Sequence, residues 1–356
     1  MMKYVLIFFA VVAIAFVFWI IRTFMRLGNP VNAQLSDSYY YHRWKKKIIY
    51  SPMGNWFELG YYETEADVAT FSVIARDYGK DHQFVFLRGR KQQVDLATFQ
   101  VDKNRIPKDH VHVYFEKPYS DSLIRVEGAD PKTYQPYVLP ADTYNQGWCR
   151  DDQAYYLHGV KVDVDRKTFQ RINSSLAIDS LNVYIIKTDS DLVPGKQLIK
   201  KASNPGGEVH AITETYAQVG HTLILANWKT DFRMLAFPKI DSIQVLTERI
   251  LVVNSQLVAD GRVIEDFDPS TFQELSRNHF KDKDRVYYEG IQITGADPST
   301  FEVLREEYAK DHRAAYYQER VLPGVNPASF RTDYENNTLI ATDGILKFKE
   351  GVLVNN

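Results

Sequence analysis

The chain has one cysteine, Cys149, in 356 residues, so no disulfide framework can hold it together. It has no strong charge of either sign, the formal net charge being −2, and a nucleic-acid binder would need a basic stripe or domain. The usual catalytic signatures are missing as well. There is no HExxH and no cysteine pair for zinc, no GxSxG or SxxK for an activated serine, and Pro194-Gly195-Lys196 lacks the first glycine and the following Ser/Thr of a phosphate loop. No cofactor is implied. Asp189-Ser190-Asp191 and Asp163-Val164-Asp165 lack the rest of an EF-hand loop.

What is present is abundant apolar and aromatic material, 45% and 13% of residues, which is enough for an ordered core. It is arranged as a repeat. A phrase closed by an aromatic recurs at Phe71, Phe99, Tyr134, Phe169, Phe272, Phe301 and Phe330, with steps of 28, 35, 35, 103, 29 and 29 residues. Its clearest copies are Gly128-Ala129-Asp130-Pro131-Lys132-Thr133-Tyr134 and Gly295-Ala296-Asp297-Pro298-Ser299-Thr300-Phe301. An aspartate stands ten residues after five markers (Asp81, Asp109, Asp179, Asp282, Asp311), with Val or Ala four residues later and an aromatic at the fifth. The two 35-residue steps are units with a loop insertion of seven residues, and the 103-residue interval has room for about three eroded units, one near Ile243. A period of this length indicates stacked supersecondary units, none of which can bury its apolar surface alone.

The phrase Asp-Pro-Ser-Thr-Phe is corner chemistry: proline fixes φ, and the aspartate accepts bonds from amides ahead of it. Pro107, Pro136 and Pro140 in the stretches that follow disfavour helix there. The pattern predicts a strand, a turn opened by the aspartate, a β-branched and aromatic second strand such as Arg285-Val286-Tyr287-Tyr288, a tight reversal and a short third segment. The fold class expected is therefore mainly β, with tandem β-hairpin repeats of about 29 residues stacked as a solenoid. A β-propeller is the alternative, and its four-stranded blades usually need about 40 residues.

Tyr4–Ile21 is uncharged and as a helix would be about 27 Å long, close to the thickness of a bilayer core. It predicts one uncleaved N-terminal transmembrane helix, a cleaved signal peptide being the alternative. The expected organisation is an anchor over 1–25, a linker over 26–36, repeats over 37–184, an irregular or eroded region over 185–240, and repeats with a C-terminal cap over 241–356.

Adjacent residues on a strand point to opposite faces, so Tyr287 and Tyr288 cannot both enter one core. The outer column, Phe115, Tyr288 and Tyr317, is the candidate binding surface, since amphipathic aromatics in a row suit a glycan or a protein partner. His82, His110 and His312 follow repeat aspartates and read as turn residues. A different possibility is an enzyme whose site lies in the irregular stretch 188–228, where Asp189, Asp191, His210 and His221 fall.

Asp282-Lys283-Asp284-Arg285-Val286-Tyr287-Tyr288, with Gly295–Phe301 and Tyr308-Ala309-Lys310-Asp311, resembles the DKNYY repeat family of bacterial proteins. The resemblance covers about Ala66 to Asp179 and Ile264 to Phe330; Asp284 stands where the family name has Asn, and Phe86-Leu87 and Tyr184-Ile185 replace the double tyrosine. It implies an envelope-associated protein with no assigned activity and no catalytic residues to carry over. The expectation is a non-catalytic scaffold anchored in the bacterial inner membrane, with its C-terminal domain periplasmic and binding an envelope protein or glycan.

Overall fold

The computed structural model describes residues 14, 16–18, 27–117, 120–140, 147–187, 198–226, 232–335 and 337–354. The expected anchor thus lies outside the described residues except for Ile14 and Phe16–Phe18, which are helical and exposed. Among the described residues no helix is long and apolar enough to cross a membrane. Asp189, Asp191 and Trp228 also lie outside them.

One repeat shows the construction. Its four strands are Glu302–Val303, Tyr308–Lys310, Ala315–Tyr317 and Arg320–Leu322, each antiparallel to the next. The repeat is a four-stranded meander, one strand more than the sequence predicts. The stretch after the corner was expected to be a single strand, but it reverses at Arg305-Glu306-Glu307, where Glu306 has φ 55° and the Leu304 amide donates to the Tyr308 carbonyl. A left-handed glutamate has no sequence signal, so the turn was hidden.

The same meander recurs along the chain. Four-stranded sheets span 27–63, 72–92, 135–161, 170–203, 209–236, 243–264, 273–292, 302–322 and 331–353, and two hairpins at 100–108 and 114–125 are joined through a Lys108–Val113 bridge. The 103-residue interval between markers carries three of these sheets. The expected linker is not one: Leu27–Pro30 pairs with Tyr39–His42 and opens the first sheet. The insertions fall between strands, in 117–122 and 137–147.

The described residues through Arg166 form one compact unit and those from Lys167 onward a second. In each unit a separate core lies between every pair of consecutive sheets. The core between the sheets at 273–292 and 302–322, for example, gathers Val286, Tyr288, Ile293, Phe301, Ala309 and Tyr316. The corner aromatic packs on the third-strand aromatic of its own repeat, with ring centroids 5.6 Å apart for Phe301–Tyr316, 5.2 Å for Tyr134–Tyr156 and 5.8 Å for Phe71–Phe86.

Candidate functional site

The residue types that could carry chemistry are the repeat aspartates, the histidines beside them and the tyrosines. Asp81, Asp109, Asp151, Asp179, Asp282, Asp311 and Asp343 are all buried. In each, Oδ1 accepts from the amides two and three residues ahead at 2.6–2.9 Å, which closes the turn between the second and third strands. Oδ2 faces back to the corner. It accepts the Asp297 amide at Asp311, the Asp268 amide at Asp282 and the Asn326 amide at Asp343. The third-strand tyrosine adds a hydroxyl: Tyr316 donates to Asp311 at 2.8 Å and Tyr156 to Asp151 at 2.9 Å.

One aspartate therefore ties a turn, a corner and a core ring together. Burial pushes the Asp109 carboxyl up, but the Tyr114 hydroxyl and the amides of His112, Val111 and Asp95 outweigh it and hold it at about 2. Asp311 is lowered in the same way against the same penalty. The Asp109 and Asp311 oxygens are filled with N–H and O–H donors, which leaves little lone-pair room for a cation, and their lowered pKa is the opposite of what a general acid requires.

The histidines form a second recurring device. His82, His110 and His312 each place Nδ1 within 2.8–3.0 Å of a corner threonine Oγ1 (Thr70, Thr98, Thr300) and 3.0–3.3 Å of a corner aspartate (Asp67, Asp95, Asp297). A nucleophile triad divides hydroxyl and carboxylate between the two ring nitrogens. Here both lie on Nδ1, and the histidine amide also donates to the same threonine. The group braces the corner.

The tyrosine column differs from the expectation. Tyr288 is 3% exposed, and Phe115 and Tyr317 are half-buried. Phe115 and Tyr317 each cover a glycine of the next repeat, and Tyr317 also meets a ring of its own sheet. The Phe115 ring covers the reversal glycine Gly159 and meets His158 at 6.3 Å, and Tyr317 covers Gly351 and meets Tyr308 at 4.8 Å. A sheet with a neighbour on each face within its unit has both sides of its third strand buried, as in Val85–Leu87 and Val286–Tyr288. Alternation correctly separates the faces but does not make one of them solvent, and Phe115, Tyr288 and Tyr317 do not form an exposed column.

A latch overlooked in the sequence completes the repeat. The hydroxyls of Tyr39, Tyr216 and Tyr308 accept the amides of Gly89, Gly261 and Gly351, the reversal glycines of the following sheets, at 2.7–2.9 Å. Each glycine has φ of 70–74°, and a Cβ on Gly351 would lie 2.3 Å from the Tyr317 ring. The signal was a tyrosine 43–50 residues before a glycine, too distant to be noticed without coordinates.

Other features do not recur. Arg249 pairs with Asp260 in its own sheet and, at 3.1 and 3.5 Å, with Asn278 and Glu289 of the next. Burial pushes the Asp260 carboxyl up, against the pull of Arg249 and with a further push from Glu289. His279 is 1% exposed against the rings of Tyr288 and Phe301, and burial lowers it to about 4. An open cleft of about 430 Å³ is lined by Gln153, Tyr155, Lys161, Asp163 and Arg166 among others. Of the residues proposed for an enzyme in 188–228, His210 is exposed beside Glu208 at 3.4 Å and His221 is exposed at a hairpin turn.

Comparison with curated proteins and with solved structures gives no match. The model of the DKNYY family matches residues 148–350, which include the sheets at 209–236 and 243–264. In that light the run Asp282–Tyr288 is a turn clasp followed by two core-facing rings. The match covers more than half of the sequence, and the chain belongs to the DKNYY family.

Proposed function

We propose that the chain is a membrane-anchored, non-catalytic repeat scaffold of the bacterial cell envelope, single-pass in the inner membrane, with its repeats periplasmic and stacked in solenoid fashion within each unit. The observation that carries this reading is the commitment of the recurring polar residues. Asp, Thr, His and Tyr side chains, the types most often recruited for catalysis, are used repeat after repeat to hold amides, corners and neighbouring sheets. The uncharged run Tyr4–Ile21 supports the anchor.

Partner contact is assigned to surface that does not recur, of which the cleft at Gln153–Arg166 is one. Exposed Lys161, Asp163 and Arg166 surround Tyr155, a mixture suited to a polar protein segment or a glycan. The test is a photo-crosslinking amino acid at position 161 of the full chain in its own membranes. Discrete adducts at 161 but not at Glu335, which sits on an edge strand, support the scaffold. Equal labelling at both positions removes the cleft as the contact. An alkaline-phosphatase fusion after Asn356 should be active, and inactivity would place the repeats on the other side.

A further inference from the structure

We propose that the turn Arg43–Lys47 of the first sheet rests on anionic phospholipid headgroups. The contact relies on the anchor proposed above but is a separate claim about the folded domain. Strand register supplies the geometry. Leu27, the first described residue after the uncharged run, pairs with His42 and so lies beside the turn that begins at Arg43. Five residues separate Ile21 from Leu27, a tether of at most about 20 Å even when fully extended. The tether itself carries Arg22 and Arg26.

The turn is held ready. His42, buried, accepts the amides of Trp44 and Lys45 on Nδ1 at 3.0 and 3.2 Å, and its own amide donates to the Lys47 carbonyl. Every side chain from Arg43 to Lys47 is thereby turned outward and exposed, Trp44 to 51%. The acidic groups felt by Lys47 are occupied: Glu63 pairs with Lys45 and Glu65 with Lys91 at 2.7 Å. Among the described residues Arg43, Lys46 and Lys47 have no acidic partner within ion-pair distance.

Three unpaired cations around an exposed tryptophan, on a short tether from a bilayer-length apolar run, match the composition of a membrane interface. Tryptophan sits at headgroup depth, and each basic residue near an anionic surface strengthens attachment about fivefold. A nucleic acid would need more than this one basic turn on a chain of net charge −2. The contact would fix the first sheet against the bilayer instead of leaving it free on its tether.

The test uses the full chain in vesicles of phosphatidylcholine, with and without phosphatidylglycerol. A fluorophore is placed by Lys46→Cys in a Cys149→Ser background, and a control by Met53→Cys, beyond the other end of strand Ile48–Tyr50. The quencher is a headgroup spin label. Quenching at 46 should exceed that at 53, rise with phosphatidylglycerol, and fall in high salt. Arg43→Gln with Lys47→Gln should weaken the local contact about 25-fold. Equal quenching at the two positions, or none that depends on phosphatidylglycerol, overturns the contact while leaving the anchor standing. Release of the protein by alkaline carbonate overturns the anchor, and the contact falls with it.

Discussion

Replacing Asp311 by alanine is the sharpest probe of how the repeat is held. The substitution removes the acceptor for the Arg313 and Ala314 amides, at 2.7 and 2.8 Å, and for the Asp297 amide and the Tyr316 hydroxyl, both at 2.8 Å. Hydrogen bonds to an ionised carboxylate contribute about 1.5–3 kcal/mol each, and a buried donor left empty costs about 1–3 kcal/mol. The turn amides are near enough to the surface to find water, while the Tyr316 hydroxyl sits on a ring that is 1% exposed. Allowing for that difference, Asp311→Ala should lower the local opening free energy by about 3–5 kcal/mol. Asp311→Asn keeps Oδ1 for the turn but sets an NH2 against the Asp297 amide and the Tyr316 hydroxyl, and should cost about 2 kcal/mol. Repeat arrays need not unfold in one step, so hydrogen exchange is the appropriate assay. Protection should fall most at Tyr308–Tyr317 and in the core shared with Val286 and Tyr288, and least in the first unit. A loss below about 1 kcal/mol for alanine, or asparagine costing as much as alanine, would refute the clasp. The pH sign follows from the depressed pKa. For Asp109, held at about 2, the stabilisation is complete above the unfolded value near 3.9 and is lost as pH falls from there toward 2.

Other perturbations test other joints. Gly351→Ala places a Cβ 2.3 Å from the Tyr317 ring at φ 72° and should destabilise the last sheet by about 2–3 kcal/mol, whereas Tyr308→Phe, which removes only the acceptor for the Gly351 amide, should cost about 1 kcal/mol; both are read by urea denaturation followed through far-UV dichroism. Phe301→Ala empties the core shared by two sheets and should cost about 3–5 kcal/mol in the same assay. His279, buried and lowered to about 4, is neutral in the fold; stability is constant above the unfolded value near 6.5 and declines by up to about 3 kcal/mol as pH drops from there to 4, a dependence that His279→Phe should abolish if this residue causes it.

The repeat was legible because its punctuation is chemical. Pro298, Ser299, Thr300 and Phe301 announce a corner, and the ten-residue step to Asp311 with Tyr316 beyond it reflects one hydrogen-bonded triangle of corner amide, carboxylate and phenol. The additional strand was not legible, because Glu302–Val303 is only two residues long and its turn passes through Glu306 without a glycine or asparagine. The outward tyrosines were misplaced for a different reason. Period-two alternation tells which rings share a face, but the burial of Tyr288 depends on a neighbouring sheet that the period alone does not put there. The Tyr308–Gly351 latch spans 43 residues and leaves no local trace.

Having a core between consecutive sheets within each unit also bears on how such a chain can change over generations. Three junctions use the same parts, a tyrosine hydroxyl on one sheet and a glycine reversal on the next, so a junction of this kind sets no particular number of copies. Excising one full period, such as residues 294–322, would bring the Tyr288 face against the sheet that begins after Phe330, a surface already shaped to receive a tyrosine in Tyr317. Gene-level duplication or loss of whole periods should thus be tolerated where a cut of half a period is not, and array length becomes a quantity that selection can adjust without redesigning any core.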